Sequence, residues 1–133
     1  MILEIFCLLI IFQVKHFIAD FLLQGEYMLG KFSKDCRVWV PALTVHCLVH
    51  AVLTFGISFH FTKNLTLSLA CSGFDFSMHF AMDRLKASPN LWGRFEITEK
   101  YFWWALGYDQ TVHHLTHYGI IVTIVYVKLM AVP

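Results

Sequence analysis

Asp75-Phe76-Ser77-Met78-His79-Phe80-Ala81-Met82-Asp83-Arg84-Leu85-Lys86 is the stretch on which the reading of the chain turns. Asp75, His79 and Asp83 recur at every fourth position, and Lys86 follows three residues later. An α-helix stacks residues at that spacing along one face. The flanking sequence is apolar, so this helix needs polar partners from elsewhere in the chain.

The other apolar segments carry them. His16 and Asp20 stand four apart and are extended by Gln24; His46 and His50 repeat the spacing; Asp109, His113 and His117 repeat it twice, with His114 off that face. Each set occupies one side of its own helix.

Of 133 residues, 58% are hydrophobic and 14% charged, and the mean hydropathy is +0.62. A soluble domain is about half apolar and about a quarter charged. The excess predicts an all-α integral membrane protein. A net charge of +1 gives no basic footprint for nucleic acid. Cys7, Cys36, Cys47 and Cys71 are scattered without a paired motif, which predicts reduced thiols rather than a disulfide framework.

Spanning roughly 30 Å of hydrocarbon takes about 20 helical residues. Four segments are long enough, at approximately 2–24, 40–61, 65–85 and 109–129. The expectation is a single transmembrane domain over 1–133, a four-helix bundle without linker or internal repeat. The first segment carries Glu4, lacks a basic leader region and shows no small-residue cleavage site before Lys15 and His16, so it reads as a retained membrane helix. Between the third and fourth segments, mixed charge beside Tyr101, Phe102, Trp103 and Trp104 predicts a short interfacial helix. Pro41 is expected in the first turn of the second span, where proline is tolerated.

With four spans, Lys31, Lys34, Arg37, Arg84, Lys86, Arg94 and Lys100 fall on one side, and only Lys63 and Lys128 on the other. The positive-inside rule then places both termini outside. All four tryptophans lie in or beside the two basic connections, as an interfacial belt does.

This topology brings the four polar sets to a similar depth, displaced toward the cytoplasmic face. At ~1.5 Å per residue, His50 lies roughly 15 Å into its helix and Asp20 roughly 6 Å from the end of its own. Imidazole and carboxylate ligands on facing helices suit one or two ions of zinc, iron or manganese. The candidate ligands are His16, Asp20, His46, His50, His79, Asp83, Asp109 and His113, enough for two ions. Gln24, Asp75, Gln110 and His117 would support them. A single His–Asp pair between membrane helices is more often a structural hydrogen bond than a ligand set. Four pairs at one level favour ligation. His60 is expected at the opposite interface and His114 against headgroups or a neighbouring helix. Lys15, Arg84 and Lys86 are candidates for snorkelling.

Four ordered motifs then carry a resemblance: His16-Phe17-Ile18-Ala19-Asp20 through Gln24 with Lys31; His46-x3-His50; His79-Phe80-x2-Asp83-x2-Lys86; and Asp109-Gln110-x2-His113. Together they resemble the membrane-protein family termed domain of unknown function 3307, over nearly the whole chain. The resemblance implies a small polytopic membrane protein of bacteria, in the inner membrane, or of their phages. It brings no established activity. In the style of its motifs the chain is also similar to bacterial inner-membrane metal-dependent hydrolases.

Three functions fit. The first is a membrane-embedded metal-dependent hydrolase, in which water activated by the metal attacks a phosphate or acyl ester of a lipid or lipid-linked substrate. Asp83 or Asp109 would hold metal or act as general base, and Arg84, Lys86 and, less directly, Lys31 would neutralise a substrate phosphate. The second is a di-iron oxidoreductase of the desaturase or hydroxylase kind, read from the His46/His50 and His113/His114/His117 groupings. The third is a non-enzymatic ion- or proton-handling or interaction protein, for which a homo-oligomer would have to complete a pore.

Overall fold

The computed structural model describes residues 2–130. α1 (Ile2–Phe17) passes directly into a π-helical turn, Ile18–Leu22, closed by the Leu23 N–H on the Ile18 carbonyl at 2.9 Å. A 3-10 segment, Glu26–Phe32, leads to α2 (Cys36–Thr62) and α3 (Leu65–Ala87). A 3-10 turn, Trp92–Arg94, then precedes α4 (Lys100–Met130). Among the described residues there is no strand. Two stretches, Ile2–Leu22 and Cys36–Thr62, are long and apolar enough to cross a membrane. α3 carries Asp75, Asp83, Arg84 and Lys86, and α4 carries Lys100, Asp109 and Lys128.

The helix ends follow from local chemistry. Asp35 caps α2 by accepting the Arg37 N–H at 2.9 Å. α2 therefore begins earlier than expected, and Pro41 sits in its second turn rather than its first. At that position the missing N–H leaves one helical hydrogen bond unmade. Lys63 ends α2 in the left-handed conformation, φ 51°, and Asn64 caps α3 through the Leu67 N–H at 3.0 Å. This two-residue connection makes α2 and α3 antiparallel neighbours. α3 stops at Ser88, because Pro89 disfavours a helical residue before it. Gly93 closes the loop beyond: a Cβ there would lie 2.7 Å from the Ala87 carbonyl oxygen.

The separate interfacial helix expected between the third and fourth segments is not formed. Lys100–Ala105 is instead the first part of α4. No proline or capping residue interrupts 100–109, and Gly107 continues the helix in open space. Only the 3-10 turn Trp92–Arg94 remains of the anticipated element.

The 3-10 segment folds back against α2, where Gly30 permits close approach; a Cβ at this position would stand 3.1 Å from the Ala42 Cβ. α1 and α4 are tied at their outer ends by an ion pair between Glu4 and Lys128. One end of the four-helix assembly thus gathers the start of α1, the end of α4 and the α2–α3 turn. Near it lies an apolar core of Leu8, Phe12, Cys71, Ile120, Ile121 and Ile124. α2 and α3 meet through small side chains, among them Ala51, Ser58, Ser68 and Cys71, and Ser72 donates to the Ala51 carbonyl at 2.8 Å. Small residues at a helix contact let backbones approach closely.

The rest of the interior is rich in buried polar groups, interspersed with Leu43, Cys47 and Met82. His46, His50, His79 and His117 are fully buried, as are Asp75 and Asp109, and His113 is nearly so. The outward faces show the reverse, with large hydrophobics such as Phe6, Ile10, Leu48, Val52, Leu69 and Val122 exposed on all four helices. All four cysteines are free thiols.

Candidate metal centre

Six histidines from four helices converge. The imidazoles of His50 and His79 are 3.8 Å apart between centroids, those of His79 and His113 4.2 Å, and those of His46 and His50 4.9 Å. His16 stands 5.3 Å from both His113 and His117. The four-residue periodicity of each helix delivers these side chains to one side, and antiparallel packing brings the sides together.

Carboxylates alternate with the rings. Asp20 Oδ2 is 3.1 Å from His16 Nε2, and Asp20 Oδ1 is 3.0 Å from His50 Nε2 and 3.4 Å from His46 Nε2. His46 Nε2 lies 3.0 Å from Asp83 Oδ2, while Asp83 Oδ1 is 3.5 Å from His113 Nε2. The π turn is what carries Asp20 here. Its wider winding changes the direction of side chains leaving α1 just beyond His16, and such turns are frequent at functional sites.

Backbone carbonyls orient two rings. His79 Nδ1 pairs with the Asp75 carbonyl at 3.0 Å, and His113 Nδ1 with the Asp109 carbonyl at 2.7 Å. A ring that donates from Nδ1 keeps a lone pair on Nε2, the arrangement of a metal ligand. Both Nε2 atoms are buried and make no hydrogen bond. Neither ring nitrogen of His16 or His46 makes one either. His46 Nε2 is close to two carboxylates yet misaligned for an N–H bond, so nitrogen and oxygen lone pairs face a shared space. Buried polar atoms left unpaired are costly, and a cation satisfies several together. The donor set therefore fits a divalent metal ion. Four groups could hold one: Asp20, His46 and His50; His16, His50 and His79; Asp83, Asp109 and His113; and Asp75, His79 and His117.

Lysines sort these groups. Lys31 donates to Asp83 Oδ2 at 2.8 Å, Lys86 to Asp109 Oδ2 at 2.7 Å and Lys15 to Asp75 Oδ2 at 2.7 Å. Among the described residues, Asp20 has no lysine within 4 Å, and its ion-pair partners are the imidazoles of His16, His46 and His50. Gln110 adds a 3.0 Å hydrogen bond to Asp109 Oδ2, and Thr54 donates to Asp75 Oδ2 at 2.7 Å.

The cluster opens at one end into a cavity of about 470 Å³. Its walls include Asp20, Gln24, Lys31, Asp83, Lys86 and Gln110. Arg84 points elsewhere, its guanidinium 3.8 Å above the Trp39 ring and its donor 3.4 Å from the Lys31 carbonyl. His60 lies on the exposed surface of α2, and His114 lies beside the cluster, 6.1 Å from His16.

All eight candidate ligands thus share one interior. Gln24 and Gln110 flank the opening, and Asp75 and His117 form the deep end. Lys15, a candidate for snorkelling, is instead buried at 3% exposure. Thr54 was not anticipated. Both could have been found by spacing, because Leu8, Phe12 and Lys15 form a buried stripe of α1 that runs on to Ala19 in the π turn, and Thr54 continues the ladder of His46 and His50.

Among known proteins, the match is to a family: the model described as Protein of unknown function (DUF3307) matches residues 8–132. No curated protein and no solved structure matches.

Proposed function

We propose, for a chain that belongs to the DUF3307 family, a membrane-embedded metal-dependent hydrolase acting on a phosphate or acyl ester of a lipid or lipid-linked substrate. The observation that carries this reading is the meeting of a lysine-free Asp20–His46–His50 group with a cavity lined by Lys31 and Lys86. The proposed setting is a four-span bundle in a bacterial inner membrane, or one encoded by a phage, with both termini outside. Its support is the apolar exterior around a charged interior and the Glu4–Lys128 closure, which places both ends of the bundle's chain together.

Asp20, His46 and His50, with His16 and His79 adjacent, would hold one ion. Asp83, Asp109 and His113 would hold a second, since Lys31 and Lys86 engage only the Oδ2 atoms, Asp83 Oδ1 lies 3.5 Å from His113 Nε2 and Asp109 Oδ1 makes no hydrogen bond. Zinc, iron and manganese all accept this donor set. When bound, the metal supplies a Lewis acid and activated water. Of Asp83 and Asp109, the one not engaged as a ligand would accept a proton as general base, and Asp83 lies on the cavity wall. Lys31 and Lys86 give the cavity wall positive charge for an anionic headgroup. Gln24 and Gln110 offer amide donors at its mouth. The cavity has room for a headgroup, and acyl chains would remain in the surrounding lipid.

Metal content decides first. Detergent-purified protein is expected to hold stoichiometric zinc, iron or manganese, and His46→Ala with Asp20→Asn to lose it. A metal-free wild type that survives both substitutions unchanged would defeat the reading. Release of phosphate or fatty acid from inner-membrane lipids then separates hydrolysis from an oxygen-dependent di-iron reaction.

A further inference from the structure

The fourth candidate group, Asp75, His79 and His117, lies at the deep end of the cluster and is entirely buried. It already contains a cation. Lys15 reaches in from α1 with its Nζ 2.7 Å from Asp75 Oδ2 and 3.4 Å from His117 Nε2. Thr54 takes a further position on Asp75 Oδ2 at 2.7 Å. Asp75 Oδ1 lies 3.2 Å from His79 Nδ1 and 3.6 Å from His117 Nε2, without a hydrogen bond to either.

We infer that Lys15 is a built-in substitute for a metal ion, filling a third metal site that the fold would otherwise form from Asp75, His79 and His117. A metal there would bind at about 2.0–2.2 Å from nitrogen and oxygen ligands. It cannot share Asp75 and His117 with an ammonium already within 3.4 Å of both. The other lysines differ in placement. Lys31 and Lys86 approach from the cavity side, bonding the outer oxygens of Asp83 and Asp109. Lys15 enters between two ligands of the same group. It is a positioning residue: it fixes the Asp75 carboxylate between Thr54 and His117.

The assignment rests on reading the cluster as a metal centre, and counting bound metal separates the two. Full-length protein in detergent is stripped with chelator, loaded with cobalt(II) and desalted, and cobalt per chain is measured with helix content by circular dichroism. Lys15→Ala is expected to hold one equivalent more than wild type, and Lys15→Ala combined with Asp75→Asn to return to the wild-type number. His117→Ala alone is expected to leave the number unchanged. If Lys15→Ala lacks helicity without metal, cobalt restores it there but not in the double variant. A helical Lys15→Ala with the wild-type count, a failure of cobalt to restore an unfolded one, or a His117→Ala that loses one equivalent overturns the inference. A wild type without cobalt beside a Lys15→Ala with one equivalent would defeat the hydrolase reading and leave this one standing.

Discussion

Lys31 Nζ and Asp83 Oδ2 meet at 2.8 Å although 52 residues separate them in the chain. The lysine belongs to the folded-back 3-10 segment and the aspartate to α3, so this contact locks a connection onto the bundle. Removing one member of a buried pair strands the other charge and costs ~3–5 kcal/mol. Lys31→Met should therefore lower stability by roughly 3 kcal/mol. Lys31→Met with Asp83→Asn should recover most of the loss, read by thermal unfolding in detergent.

Gln110 holds Asp109 without being a candidate ligand. Loss of such a supporting hydrogen bond weakens metal affinity by about 10- to 100-fold. Gln110→Ala should do so in a competition titration against a chromogenic chelator. His60→Ala, far from the cluster, should not change affinity.

Lys63 adopts φ 51° at the end of α2. A side chain in this conformation costs roughly 1 kcal/mol, which glycine avoids. Lys63→Gly should accordingly raise the melting temperature and leave metal content intact. A lower melting temperature would show that the side chain contributes more than its backbone strain.

Gly93 has no room for a Cβ against the Ala87 and Ser88 carbonyls. Gly93→Ala must push the loop away from the end of α3, and overpacking of this kind costs about 1–3 kcal/mol. Faster proteolysis within 88–95 and a lower melting temperature are the expected results.

Cys7 and Cys36 are both exposed on the protein surface, while Cys47 and Cys71 are buried. In the proposed four-span arrangement lipid covers Cys7 but not Cys36, which begins α2. A water-soluble maleimide should label only Cys36 in inside-out membrane vesicles and all four thiols after denaturation. Equal labelling of Cys7 and Cys36 would argue against that arrangement.

The helical segments and the shared face of the histidines on each helix were legible because both follow from four-residue spacing. His16, His46, His79 and His113 each announce their helix face by an acidic or basic neighbour one turn away. The lysines were less legible. Lys15 reads as a flexible cation near a membrane surface until the stripe through Leu8 and Phe12 is followed. Arg84 has the spacing of a site residue yet prefers the Trp39 ring, a tertiary contact that no local pattern reports. The start of α4 was misread for a similar reason: an amphipathic composition at Lys100–Ala105 describes a surface, not a helix end.

The π turn at Ile18–Leu22 makes the chemistry of the centre a matter of counting. Each residue of an ordinary helix turns the chain by about 100°. Deleting one residue from this turn would let α1 continue as a plain α-helix while preserving every side chain proposed to bind metal. Asp20 would then leave α1 in a different direction and part from His46 and His50. The His16–Asp20 stretch is thus defined as much by its length as by its letters, and a one-residue shortening there would dismantle the Asp20 group without changing a single proposed ligand.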